Sequence, residues 1–199
     1  MGSREDILSA IRAQNVPAES APSLDQTWIK YPDKFAHFSQ MLDTIGGTCI
    51  AVNSLEEINA YLADVIPYNT AKQIVSLVPG IGKPNVDVNK LDNPHKLETV
   101  DYAILKGDLG VAENGAIWVT DENVRHRALY FIVQHLSLVS PYDSLLDNMH
   151  QAYDCLTFGQ KQFGAFISGP SKTADIEQSL VIGAHGPRSM LVFCLRGQK

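Results

Sequence analysis

The fold class follows from residues 33–65, DKFAHFSQMLDTIGGTCIAVNSLEEINAYLADV. Apolar residues recur at helical spacing over residues 33–45, and a double glycine then ends the predicted helix. A strand follows at once in residues 48–52, and Ser54 caps a second helix that runs to about residue 65. This alternation with short connections predicts an α/β fold, namely an open, mostly parallel sheet with helices on both faces.

The same pattern continues towards the carboxyl terminus. Strands are predicted at residues 73–78, 102–105, 116–119, 134–139, 164–168 and 190–195, and helices at 143–156 and 174–182. The segment between the first two of these strands is broken by glycine and proline and is predicted to be loop. Within it, PGIGKP lacks the spacing of a phosphate-binding loop, and the G-x-G-x-x-G fingerprint of a dinucleotide fold is missing.

An amino-terminal arm and a linker precede the body of the protein. Ser3 opens a short amphipathic helix, and residues 15–27 hold Pro17 and Pro22 among small and polar residues, as is typical of a linker. We therefore assign residues 1–27 to the arm and linker and residues 28–199 to a single α/β domain. The arm packs either loosely on the body or on a neighbouring subunit, and the second arrangement implies a homo-oligomer.

Charge and cysteine content exclude several classes of function. A formal charge of −6 with 16 scattered basic residues provides no basic surface for nucleic acid. Cys49, Cys155 and Cys194 are far apart and form no short-spaced pair for an iron–sulfur cluster or zinc, so no metal site is predicted. No apolar run approaches the ~18 residues of a membrane span. Sparse cysteines without a secretory signal predict a cytoplasmic protein.

A lone carboxylate stands in a glycine-rich turn before a predicted strand, in GDLGVAENGAIWVTD at residues 107–121. Glu113 is predicted to act as a nucleophile or general base, or else only to accept N–H bonds of the turn, and both interpretations stay open. Gly115 permits close approach of a ligand because it lacks Cβ. The residues expected to contact a ligand here are Gly107, Gly110, Asn114 and Gly115.

A second candidate segment is SGPSKTADIE at residues 168–177, where a predicted strand gives way to a predicted helix. Free N–H groups at a helix start, together with the ammonium group of Lys172, favour an anion. His185 lies in the following turn and titrates near neutral pH. The same residues also suit an ordinary capped helix. The further contacts expected here are Gly169, Ser171, Thr173 and Asp175.

These segments and the arm together resemble the LUD domain, the lactate utilization protein C family, formerly a domain of unknown function. The resemblance lies in SGPSKTADIEQSLVIGAHGP at 168–187, VAENGAI at 111–117 and SREDILSAIR at 3–12. It implies a fold like that of ribose-5-phosphate isomerase, glucosamine-6-phosphate deaminase and the CoA transferases. It also implies conversion of L-lactate to pyruvate together with two partner proteins that carry iron–sulfur clusters, while this chain alone binds no cofactor.

Three functions stay open at this point. The leading hypothesis is a lactate utilization subunit that binds a small anionic hydroxy or keto acid between Glu113 and Lys172. Residues 113–115, Glu-Asn-Gly, also resemble the turn in class I CoA transferases where a glutamate attacks a thioester, so a CoA transferase or phosphosugar enzyme of this fold is an alternative. The third is a non-enzymatic scaffold that docks the iron–sulfur partners.

Overall fold

The computed structural model describes residues 3–14, 19–156, 163–173 and 180–197. The strands are β1 (Thr48–Val52), β2 (Ile74–Ser76), β3 (Tyr102–Lys106), β4 (Leu109–Val111), β5 (Ala116–Thr120), β6 (His135–Pro141), β7 (Leu145–Leu146), β8 (Gly164–Ile167), β9 (Lys172–Thr173), β10 (Val181–Ile182) and β11 (Ser189–Leu195). The helices are α1 (Ser3–Ala13), α2 (Lys34–Thr44), α3 (Leu55–Leu62), α4 (Ile66–Thr70), α5 (Leu129–Ile132) and α6 (Met149–Cys155). Short 3-10 helices cover Val88–Lys90, Pro94–Thr99 and Tyr142–Ser144.

A five-stranded parallel sheet forms the centre of the fold, in the order β1-β11-β6-β3-β2. One face packs on α3 and α4 through Ile58, Leu62 and Tyr68. The opposite face packs on α2 through Phe38 and Leu42. Both faces are covered, which explains the nearly continuous apolar sequence of β11. The predicted α/β class with helices on both faces is confirmed.

A second sheet covers part of the α2 face and has the order β7-β4-β5-β8. Strand β5 pairs antiparallel with both β4 and β8. The sequence predicted strands at 116–119 and 164–168 but not their separation from the parallel sheet. The reason is that residues 112–115 close a tight β4–β5 hairpin, which can join only antiparallel neighbours.

Side-chain caps set the helix boundaries. The Asp33 carboxylate accepts a hydrogen bond from the Ala36 N–H at 2.9 Å, and Ser54 Oγ accepts one from the Glu57 N–H at 3.3 Å, which confirms the two helices predicted within residues 33–65. The helix predicted at 143–156 is wrong in its first part. It starts at Met149 because Asn148 caps it by accepting from the Gln151 N–H at 3.0 Å. No helix within the described residues is long and apolar enough to cross a membrane.

Candidate functional site

The two turns that the sequence singled out lie side by side. The Ser168 hydroxyl donates a hydrogen bond to the backbone oxygen of Asn114 at 2.7 Å. Gly115 and Gly169 both adopt left-handed backbone conformations, with φ of +66° and +73°, and both face the carboxyl-terminal end of α2. The predicted convergence of these distant segments is therefore present in the fold.

The space between the two turns is nevertheless filled by helix α2 and the residue after it. A Cβ atom at Gly115 would lie 3.1 Å from the Leu42 nitrogen and 3.4 Å from Ile45 Cδ1. A Cβ atom at Gly169 would lie 3.0 Å from Ile45 Cγ1. Both glycines thus allow close packing against Leu42 and Ile45, and the contacts leave no gap for a ligand at this point.

Glu113 takes part in the amino-terminal cap of α6. Its carboxylate Oε2 accepts a hydrogen bond from the Met149 N–H at 2.9 Å, and its own N–H donates to the Asp147 oxygen at 3.0 Å. The neighbouring Asn114 side chain accepts from the Ala116 N–H at 3.1 Å and so shapes the turn. These contacts match the interpretation in which the Glu113 carboxylate only accepts N–H bonds. The donor, however, is Met149 at the start of α6 and not a residue of the turn.

Lys172 and Thr173 belong to a short strand rather than to the start of a helix. They pair antiparallel with Ile182 and Val181, so the predicted helix at 174–182 is wrong at its end, where β-branched side chains favour a strand. Asp175, like all of residues 174–179, lies outside the described residues. The predicted anion site drew its N–H groups from the start of that helix, which falls outside the described residues, so the site stays a prediction.

The predicted site residues near the carboxyl terminus lie in two loops that are hydrogen-bonded to each other. The Ser171 N–H donates to the Pro187 oxygen at 2.9 Å, and the Gly183 N–H donates to the Ser171 oxygen at 2.8 Å. The His185 side chain is exposed in this loop. Within the described ranges, no ion pair joins Glu113 to Lys172.

A cavity of about 550 Å³ opens instead at the carboxyl ends of the parallel strands. It lies beyond β1, β11, β6 and β3 and is bordered on one side by the start of α3. In open parallel sheets this edge is where ligands bind, because loops diverge there and helix starts point towards it. Its polar lining residues are Asn53, Ser54, Lys106, Ser140, Asp143 and Arg196.

Ser140 borders the cavity, but its side chain is fully buried. Its hydroxyl is the buried side-chain oxygen that lacks a hydrogen-bond partner within the described part of the chain. Side chains alternate between the faces of a strand, and Leu138 packs on the α2 face while Val139 packs on the α3 face, so Ser140 points to the α2 face. Since solvent does not reach this hydroxyl, a ligand in the cavity does not reach it either. Gly107 is buried beside it, since a Cβ there would clash with Ile117 Cγ2 and lie 3.5 Å from Ser140 Cβ. Gly110 is buried elsewhere in the core, against Leu145.

The charges around the cavity are of both signs. Lys106, Arg196 and the carboxylate of Asp143 line it. Asp108 Oδ1 lies 3.1 Å from Lys106 Nζ and offsets its charge. The Arg196 guanidinium lies 4.7 Å from the centre of the Tyr142 ring and helps to lower the pKa of Glu57. The start of α3 adds the partial positive charge of a helix terminus.

Sequence reasoning missed this site although its signal was available. Lys106, Ser140 and Arg196 stand at or just after the ends of three strands that the sequence predicted. The carboxyl ends of parallel strands meet at one edge, so those three side chains could have been grouped by that rule. The glycine-rich turns attracted the prediction instead, and the predicted residues within the described ranges do not line the cavity.

The chain is thus an α/β domain with a parallel central sheet and an open cavity at the carboxyl edge of that sheet. The family model of the LUD domain matches residues 5–195, and the chain belongs to this family.

Among similar proteins are two called lactate utilization protein C. The protein from Bacillus pumilus is 33% identical over 109 residues, which cover 52% of this chain and 45% of that protein. The protein from Geobacillus kaustophilus is 30% identical over 115 residues, which cover 55% and 45%. The chain thus spans less than half the length of these curated relatives.

A solved structure of a DUF162 family protein from Deinococcus radiodurans has the same fold. It aligns with a TM-score of 0.59 and 16% identity, and the alignment covers 82% of this chain and 96% of that chain.

Proposed function

We propose that this LUD domain serves lactate utilization by binding a small 2-hydroxy or 2-oxo acid in the carboxyl-edge cavity. The observation that carries the proposal is the cavity of about 550 Å³ at the carboxyl edge, which Lys106, Arg196 and the start of α3 line. The acid's carboxylate faces these three groups. The names of the relatives, lactate utilization protein C, support lactate and pyruvate as the ligands.

The proposal divides the reaction between this chain and its partners. Conversion of L-lactate to pyruvate removes two electrons and two protons from the acid. Iron–sulfur partner proteins in the cytoplasm accept the two electrons, the two protons pass to water, and this chain holds the acid. The names of the relatives support the lactate system as the setting of this reaction.

Calorimetric titration of the purified protein with L-lactate and pyruvate tests the proposal. Arg196→Gln is expected to weaken binding about tenfold, the value of one hydrogen bond to a charged group. Glu113→Gln, which alters the turn outside the cavity, is expected to leave binding unchanged. The proposal fails if the wild-type protein binds neither acid, or if Glu113→Gln abolishes binding while Arg196→Gln does not.

A further inference from the structure

Strand β1 forms one edge of the central parallel sheet, where β11 is its neighbour. The Val52 oxygen accepts a hydrogen bond from the Arg196 N–H at 2.9 Å, so the backbone groups of Val52 face β11. Along a strand the N–H and C=O groups of successive residues point alternately to its two sides, and those of Cys49 and Ala51 therefore point away from the sheet. No hydrogen-bond partner for these outward groups is found among the described residues.

The sequence of β1 does not protect this open edge, defined here by residues 48–52. Thr48-Cys-Ile-Ala-Val52 contains no charged residue and no proline, the residues by which proteins usually keep edge strands from pairing. The opposite edge of the sheet is covered, since the Ile74 oxygen of β2 accepts from the N–H groups of Asn85 and Val86 at 3.0 and 3.2 Å. The Ile74 N–H in turn donates to Asn85 Oδ1 at 2.8 Å. The two edges of the central sheet are therefore unlike, and β1 is the one available for pairing.

We propose that the open edge pairs antiparallel with the open edge of a second copy of the chain, with a two-fold axis beside Ile50. Cys49 of each copy then lies opposite Ala51 of the other, and the residues of such a pair exchange both of their N–H···O bonds. This register satisfies every outward backbone group of Cys49 and Ala51. The two central sheets join into one, and the carboxyl-edge cavities of the two copies open at opposite edges of the joined sheet.

Charge and closure favour a second copy as the partner. In a two-fold antiparallel pair, a charged residue near the axis faces its own copy, and like charges opposite each other destabilise the pair. Strand β1 carries no such charge. Ile50, which is only partly buried on the α3 face, meets Ile50 of the second copy with about 4.5–5.5 Å between Cβ atoms, a favourable contact of β-branched side chains. Because the other edge is covered at Ile74, pairing ends at two copies and does not propagate into a fibre.

Sedimentation equilibrium over a range of protein concentrations tests the proposal, and a mass of twice 21.8 kDa is expected for the wild-type protein. Ala51→Pro removes an outward N–H group but none that faces β11, and proline is tolerated at such edge positions. It is expected to raise the dissociation constant of the dimer at least about tenfold, because each copy loses one hydrogen bond across the axis. Ala51→Ser keeps the N–H and is the matched control, and thermal melting checks that both variants fold. A wild-type protein that stays monomeric, or an Ala51→Pro dimer as strong as the wild-type dimer, overturns the proposal.

A disulfide across the axis provides a second test, which does not depend on the folding of Ala51→Pro. Facing residues of a non-hydrogen-bonded antiparallel pair have Cα atoms about 4.5 Å apart, within the range that a disulfide spans. Ile50→Cys, in a Cys155→Ser background that lacks the exposed thiol, is expected to form a covalent dimer as oxidised glutathione takes up the two thiol hydrogens and becomes two reduced molecules. Ile66→Cys in the same background places a thiol at an exposed site of α4 and is expected to stay monomeric on a non-reducing gel. Failure of Ile50→Cys to cross-link where the wild-type protein is dimeric places the interface on another surface and overturns the proposal.

Discussion

The junction of the two glycine-rich turns and the carboxyl edge of the parallel sheet differ in what fills them. At the junction, Gly115 and Gly169 let α2 approach closely, and Ile45 occupies the space between the turns. At the carboxyl edge a cavity of about 550 Å³ remains, and Lys106 and Arg196 are among the residues that line it. The comparison teaches that glycines and a charge in a turn serve packing as readily as binding, whereas an open space at the carboxyl ends of parallel strands is where a ligand is expected.

Gly115→Val is expected to have the largest effect on stability, a loss of about 3 kcal/mol in the free energy of unfolding. A β-branched residue at φ +66° is strained, and its Cβ would lie 3.1 Å from the backbone of α2. Urea unfolding measures the loss. Gly197→Ala is the control, since nothing lies within 4 Å of a Cβ there. A Gly115→Val protein as stable as wild type would show that the junction has room for a ligand after all.

Two buried serines of β6 provide a sharper contrast. Ser137 and Ser140 are both fully buried, but the Ser137 hydroxyl is hydrogen-bonded to the Tyr102 hydroxyl at 2.7 Å. Ser137→Ala leaves the buried Tyr102 hydroxyl unpaired and is expected to cost about 2 kcal/mol. Ser140→Ala removes an unpaired hydroxyl and is expected to stabilise the ligand-free protein by about 1 kcal/mol. Thermal and urea unfolding of both variants without ligand show whether each substitution lowers or raises the free energy of unfolding.

The opposite outcome for Ser140 would contradict the contrast between the two serines. If Ser140→Ala destabilises the protein as Ser137→Ala does, the hydroxyl has a partner in the folded chain.

A smaller effect on stability is expected from substitutions of Glu113, in one of the two turns of the junction. Glu113→Ala removes the hydrogen bond to the Met149 N–H and is expected to lower the free energy of unfolding by about 1 kcal/mol, as for a lost helix cap. Glu113→Gln retains an acceptor oxygen and is expected to lose less than half of that. Chemical denaturation of the two variants measures the difference. A loss of lactate binding in Glu113→Gln at unchanged stability would restore the catalytic role that the sequence suggested.

Much of the fold could be predicted from the sequence because its signals are local. The cap residues Asp33 and Ser54 fix helix starts, and the apolar runs of β6 and β11 require a sheet covered on both faces. The hairpin of β9 and β10 was missed because residues 171–182 combine helix-capping residues with β-branched ones, and pairing between strands decided the outcome.

The candidate site was harder to predict because it depends on contacts between distant segments. The cavity exists because the loops at the carboxyl edge leave an open volume, and no local pattern encodes an empty space. Glu113 was recognisable as a carboxylate in a turn, but its donor, Met149, comes 36 residues later. The two turns lie close because β5 and β8 pair antiparallel, whereas a parallel arrangement would place the start of one strand and the end of the other at opposite edges. The insertion of Ile45 between them was not predicted either.

The smallest expected effect concerns His135 at the amino ends of the strands, the edge opposite the cavity. Burial, and then the nearby charge of Arg188, lower the pKa of His135 below its usual 6.5, and Asp101 opposes the shift only in part. Below pH 6.5 the unfolded chain therefore binds a proton that the folded chain resists, so stability is present above that pH and is lost as the pH falls through the folded pKa. His135→Gln is expected to flatten the difference in unfolding free energy between pH 7 and pH 5, measured by urea titration against the wild-type protein, which shares the five other histidines. An unchanged pH dependence would mean that His135 is as well solvated as in the unfolded chain, and the amino edge would then be an open polar surface rather than a packed one.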